Sequence, residues 1–455
     1  MEIFSNAIYM LLVTLFIVCT FAKKHMYAAF FFLLLLTSGL SFLPQMTFLP
    51  RLLQSMCVII FCILNFKLVK RNIRKDRVIR GVFYLCLFFL FSMAFSIVYW
   101  GLTPVLVIKA GIYYIMPLSI VVFVPLSRKQ FHKLFTIVFY VTFVATVLYI
   151  IQCFIGRAIL PLSFGQEEVK LITDHIYRFW VTPPFMIELI PVSIFCKKIV
   201  PPSLRAISPV VFISGLFCTM YRTHIAAMIL CIFLLMWLTG SLVKNFKSVV
   251  ILLIIFAIFG TAFTERVTRG NNATERDISA LIAGDFSMAK TNFSNGMTLM
   301  YRAGWVLERV VYVLNSPVEL CMGLRLTEDF ALLSRVYHFK FGLVIDEGIE
   351  QVTTPDIAYG MMVTRYGLIG TFFLLRMIFR VLRRLYRYRH RNELSMVLFG
   401  FICAQFVAAV SSTVLVDPQY WVTIFFLYDY SMRMIEDNII AHSKMLPAAQ
   451  KKSPR

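Results

Sequence analysis

Acidic residues are scarce in this chain. Asp and Glu number 23 against 45 Lys and Arg, and only 15% of the 455 residues are charged. Soluble domains average about 25%, so a soluble globular chain is excluded. The ten cysteines follow no CxxC spacing, and all but Cys321 fall inside apolar runs. That argues against a disulfide framework and against a structural zinc site. No internal repeat is visible, whereas secondary transporters are commonly built from two related halves. No DxD-like pair or His-rich cluster appears in the loops, so neither a metal site nor a cofactor is expected.

What the chain has in excess is apolar surface. Hydrophobic residues make up 60% of it, and Phe alone numbers 45. Runs long enough to cross about 30 Å of hydrocarbon occur near 5–22, 26–43, 52–67, 81–99, 104–125, 134–155, 185–197, 206–221, 223–242 and 248–264. Three more follow, near 356–379, 394–414 and 420–435. The pattern predicts an all-α polytopic bundle of twelve or thirteen transmembrane helices, with 185–197 the short one. The first run has no small-residue cleavage site after it, so it is expected to be a retained helix.

The net charge of +22 sorts by position. Lys23 and Lys24, then 67–80, 127–133, 197–205, 244–247 and 380–391 fall on alternate turns. The positive-inside rule places these loops and the basic tail in the cytoplasm. They are topology signals, and no nucleic-acid partner is implied. The opposite face receives 156–184 and a far larger segment. The chain therefore divides into an N-terminal bundle (1–264), a large, partly helical outer loop (265–355), C-terminal helices (356–436) and a basic tail (437–455).

Three stretches bring polar chemistry to the outer face. In "GLFCTMYRTHIAAMILCIFLL" (215–235), Arg222 and His224 interrupt an apolar run. An arginine at a bilayer centre costs roughly 2.5–3.5 kcal/mol on insertion scales, so the chain either turns there or holds a charge for use. In the large loop, Thr298 to Leu314 reads as a helix with an apolar stripe that includes Trp305. Arg302 and Arg309, seven residues apart, share one face of it. An amphipathic helix lying on the membrane is the competing reading. "NSP" ends this helix, and Gly323 permits a tight turn. The third stretch, "TTPDIAYGMMVTRYGLIGTFFLLRMIF" (353–379), sets Asp356 at the mouth of an apolar helix, as N-cap or as base. Arg365 lies deeper, and Gly367 and Gly370 admit a close neighbour. His338 is a further histidine of the outer loop. Other charges take structural readings: Lys109 snorkels, Glu188 pairs with an arginine, Asp417-Pro418 makes an outer turn, and Asp429 pairs with Arg433.

A boundary arginine, then an outer loop with "RAGW" and "NSPVELCMG", then a helix running from "TPDIAY" to "YGLIG" resembles the O-antigen polymerase and O-antigen ligase superfamily. The resemblance covers roughly 215–380. It implies a bacterial inner-membrane C-type glycosyltransferase whose substrate is a glycan on undecaprenyl diphosphate, with the active site facing the periplasm. A chain-length regulator and a flippase of the same pathway are the implied partners, beside membrane lipid. The family's boundary arginine matches Arg222, and its loop arginine before a tryptophan matches Arg302. The ligase branch typically carries a histidine where this chain reads Pro355-Asp356, which favours polymerase over ligase. The expected chemistry is metal-independent. Arg222 and Arg302 neutralise the leaving diphosphate, with Arg309, Trp305, His224, His338 and Arg365 lining the substrate path, and Asp356 takes the acceptor's proton. A lipid-linked oligosaccharide transporter is the alternative from another class.

Overall fold

The computed structural model describes residues 2–44, 50–163, 170–173, 176–179, 181–240, 299–324, 343–345, 348–350, 357–410 and 412–445. The architecture is all-α. The first half runs α1 (Glu2–Phe21), α2 (His25–Leu36), α3 (Pro50–Leu64), α4 (Phe66–Lys75), α5 (Arg77–Val98) and α6 (Pro104–Gly111). A 3-10 stretch, Ile112–Ser119, links α6 to α7 (Ile120–Phe123), and α8 (Arg128–Ile155) follows. Next come a small antiparallel hairpin of β1 (Lys170–Thr173) and β2 (Ile176–Arg178), then α9 (Met186–Phe195), α10 (Ser208–Thr219) and α11 (Arg222–Thr239). The second half has α12 (Leu299–Leu314), α13 (Pro317–Met322) and a second hairpin, β3 (Leu343–Ile345) with β4 (Gly348–Glu350). It closes with α14 (Ala358–Met361), a π-helical stretch Met362–Tyr366, α15 (Gly367–Tyr388), α16 (Glu393–Ala408) and α17 (Pro418–Met445).

Local chemistry sets the helix ends. Asp76 caps α5 by accepting from the Val78 amide at 2.7 Å. Ser127 and Gln130 cap α8 reciprocally, and Gly156 ends that helix in the left-handed region, φ 75°. Pro117 has no amide hydrogen to give, and the backbone around it tightens into the 3-10 stretch that separates α6 from α7.

Among the described residues, four segments are long and apolar enough to cross a membrane: Arg77–Val98, Pro104–Phe123, Arg128–Ile155 and Ala358–Tyr388. A fifth results if Arg51–Leu64 and Phe66–Lys75, bent by 90°, count as one. The sequence predicts twelve or thirteen, and the described residues hold six more apolar helices of 10–17 residues that fall short of that length. Apolar runs continue past the helices they contain. The run at 26–43 holds α2, twelve residues or about 18 Å, and then turns through Ser38, Leu40 and Ser41 at positive φ. The run at 206–221 stops when Met220 turns left-handed, φ 54°. The predicted span near 248–264 lies outside the described residues. A second difference is α4: the sequence reads 67–80 as a basic loop, but "FKLVKRNIRK" is helical, with Val69 buried and its basic residues on other faces.

The core is one continuous layer of aromatic and aliphatic contacts between helices. Phe16 meets Phe32 at 5.9 Å, and Phe123 meets Phe426 at 5.5 Å. Helix α11 packs along α16, where Gly400 leaves room for Leu235: a Cβ there would meet its Cδ2 at 2.7 Å.

The last helix orients the bundle. Its far half joins the basic segments. Tyr428 lies under the Arg384 guanidinium, Ser431 accepts from Asn392 at 2.9 Å, and Asp437 pairs with Arg128 at 4.0 Å. Arg384 also binds Asp76, and Lys198 pairs with Glu393 at 3.7 Å. Arg433 takes Glu436 at 2.5 Å as its ion-pair partner where the sequence suggests Asp429. The near half of α17, about 27 Å away by helical rise, borders a cavity.

Candidate functional site

The cavity has a volume of about 490 Å³, within the roughly 300–1,000 Å³ of small-molecule pockets. It is walled by the ends of α2, α3, α9, α11, α16 and α17 and by the 3-10 stretch. All the ends that meet there lie away from the basic segments.

One set of lining residues centres on Asp417. The sequence "VDPQY" starts α17 with an acid followed by proline, an N-cap followed by a pre-set φ at N1. Asp417 Oδ1 accepts from the Gln419 amide at 3.0 Å and from the Tyr113 hydroxyl at 3.0 Å. Burial raises the carboxyl above the ordinary Asp range, and the Gln419 amide, the Tyr113 hydroxyl and the Arg51 charge oppose the rise. Arg51, exposed at the start of α3, holds its guanidinium over the Tyr113 ring, 5.2 Å from its centre. Gln419 donates to Leu36 O at 3.0 Å and Gln54 to Leu35 O at 3.2 Å, tying α17 and α3 to the end of α2.

A second set surrounds Glu188, in the first turn of α9. The sequence predicts an arginine partner for it. In the structure Glu188 Oε1 accepts from Thr423 at 2.9 Å. Three neighbours on the lining, His224 Nδ1, Gln405 Oε1 and the Tyr420 hydroxyl, have no hydrogen-bond partner among the described residues.

The sequence-predicted residues divide into three groups. Asp356 and His338 lie outside the described residues, as do the side chains of Arg222, Arg302 and Trp305. His224, two residues into the helix that Arg222 begins, lines the cavity. Its ring meets Tyr221 at 5.5 Å, and Arg178 covers the same tyrosine at 4.4 Å. Arg309 is buried, with Nη1 bonded to Glu308 at 2.8 Å, and Arg365 donates to the Tyr114 hydroxyl at 2.6 Å. Neither lines the cavity.

Helix α12, which carries Arg302 and Arg309, and the following α13 dock next to this end of the bundle. Leu324 N donates to Thr364 O at 2.5 Å, and Val313 and Leu324 form a small core with Val363. The Ala358 amide then reaches Ala409 O at 3.1 Å and Ser412 O at 3.0 Å, and Ser412 lines the cavity. Ile357, directly after Asp356, therefore adjoins the rim.

Arg51, Tyr113 and Arg178 are absent from the sequence reading, and Asp417 and Glu188 enter it only as structural charges. One signal does mark Arg51. Arg51 is a cation between apolar runs, on a side where the alternation of basic loops expects few, and Arg178 shares its outer segment with Arg157 and Lys170. No three His, Cys, Asp or Glu side chains cluster among the described residues. No protein-family model matches the chain, and no curated protein matches it.

Proposed function

We propose that the chain is a multi-pass membrane glycosyltransferase of the bacterial inner membrane, a polymerase that joins undecaprenyl-diphosphate-linked oligosaccharide units into a surface polysaccharide. The cavity end of the bundle faces the periplasm, and the end bearing the basic segments faces the cytoplasm. The observation that carries this reading is the cavity itself. One exposed arginine, Arg51, two acids and unpartnered polar groups line a cavity at the end of the bundle that the basic segments avoid. The order of motifs from 215 to 380 supports the same reading.

In the reaction, an acceptor hydroxyl oxygen bonds to the anomeric carbon of the donor glycan. The bond from that carbon to the diphosphate oxygen breaks, and undecaprenyl diphosphate leaves with the electron pair. Arg51 stands at the mouth, where an exposed guanidinium binds diphosphate oxygens bidentately. Arg222, the first residue of α11, and Arg302, on α12, are proposed to join it on the same diphosphate. The hydroxyl proton passes to a carboxylate. Asp417 and Glu188 are the acids on the cavity, and Asp356 remains the candidate from the motif order.

Deleting the gene and resolving surface glycan on a gel tests the reading. A single repeat unit on the acceptor supports polymerase. Free, unattached polymer points to a ligase, and a cytoplasm-facing lipid-linked intermediate points to a flippase.

A further inference from the structure

The two sets of cavity residues differ in how far their hydrogen bonding is complete. Around Asp417 the polar groups serve one another: Tyr113 and the Gln419 amide serve the carboxylate, and Gln419 and Gln54 serve backbone carbonyls. The second set is incomplete. Gln405 is 2% exposed and Tyr420 8%, yet the amide oxygen of one and the hydroxyl of the other lack partners among the described residues, as does His224 Nδ1. All three residues line the same space, and the three polar atoms are buried. A buried polar atom without a partner costs stability, and three along one cavity point to a ligand that supplies the missing bonds.

The chemistry of the set selects the ligand. Glu188 and the Gln405 oxygen disfavour an anion. A hydrocarbon chain would leave every polar atom unpaired. Ring hydroxyls both donate and accept, which suits an amide oxygen, a phenol and an imidazole together. The Phe401 and Tyr420 rings, 6.5 Å apart and tilted by 35°, offer apolar faces for sugar C–H groups. We infer that Glu188, His224, Phe401, Gln405, Tyr420 and Thr423 form a subsite for one neutral pyranose ring, the terminal sugar of the acceptor glycan. Naming that sugar the acceptor rests on the glycosyltransferase reading; its binding does not.

The test uses full-length protein in lipid nanodiscs, with Gln405→Leu and Tyr420→Phe as variants. Saturation-transfer NMR is run with glucose, galactose, mannose and N-acetylglucosamine, and melting is followed in parallel. At least one sugar should show transfer from the wild type. Each variant should weaken it by about tenfold, the worth of one lost hydrogen bond to a neutral group, while Tm stays level or rises. Inorganic phosphate should not compete. Absence of transfer from all four sugars, unchanged binding in both variants, or a fall in Tm would overturn the subsite. If gene deletion leaves surface glycan unchanged but the variants lose sugar binding, the polymerase reading fails and the subsite stands. If polymer disappears on deletion but both variants bind sugar and polymerise normally, the reverse holds.

Discussion

At the scale of single residues, what a charge does depends on its neighbours, and one sequence shows few of them. Glu188 reads as half of an ion pair, yet its partner is Thr423, 235 positions away in the chain. Arg51 is invisible as a motif because its significance lies in Tyr113 and Asp417, which two other elements bring to it. Asp417 was legible as a turn residue from "DP" but not as part of a cavity. It also gives a pH prediction. Its carboxyl is raised above the ordinary 3.8 by burial. A raised acid contributes stability that is fully present below the unfolded value and is lost as pH rises through the folded one. Asparagine caps a helix about as well as aspartate and cannot ionise. Asp417→Asn should therefore gain on the wild type in Tm as pH climbs above 3.8, measured by thermal melts from pH 4 to 8. A variant that loses ground with rising pH would show that the ionised form is the favoured one.

At the scale of elements, the long amphipathic patterns were readable and the breaks were not. The helix expected at Thr298 to Leu314 is α12, Leu299–Leu314, because a strong apolar stripe and a terminating "NSP" act locally. The short span at 185–197 is α9. The left-handed turns at Ser38, Leu40 and Met220 went unseen because their residue types favour no such turn; packing imposes it. Gly323 was legible as a tight turn and Gly367 as a site of close approach, and the structure shows what approaches them. Gly323, at φ 79°, lies against the backbone of the Met362–Tyr366 stretch, and a Cβ there would meet Arg365 O at 2.7 Å. Replacing it with alanine strains the backbone by about 1–3 kcal/mol. Gly323→Ala should undock α12 and α13 from this stretch, speeding amide hydrogen exchange in both helices and lowering activity while the protein still inserts. Unchanged exchange and activity would mean that the contact is dispensable.

At the scale of the molecule, the helical class was legible from composition alone, since few charges and long apolar runs leave little else. The points where the spans break were not, because apolar residues in this chain fill turns as well as helices. The proposed orientation makes a direct prediction. With Cys321 replaced, cysteines at Asn72 and Asn295 should differ towards an impermeant thiol reagent on intact cells, with Asn295 labelled and Asn72 untouched. Labelling of both would remove the sidedness. Because arginines are proposed to neutralise the diphosphate, turnover should also survive excess chelator. Loss of activity in chelator, restored by magnesium or manganese, would require a metal site in the mechanism.

The central claim is that the cavity end of the bundle polymerises lipid-linked glycan, with Arg51 neutralising the leaving diphosphate. The direct measurement is turnover by purified protein in liposomes that carry undecaprenyl-diphosphate-linked repeat units, comparing wild type with Arg51→Lys. Lysine keeps the charge and loses the bidentate fork, which removes about 2–4 kcal/mol of transition-state stabilisation, a hundred-fold or more in rate. The account predicts a ladder of products spaced by one repeat unit, with free undecaprenyl diphosphate released, from the wild type and almost none from Arg51→Lys. Substrate left unextended by the wild type, or equal ladders from both proteins, would contradict it.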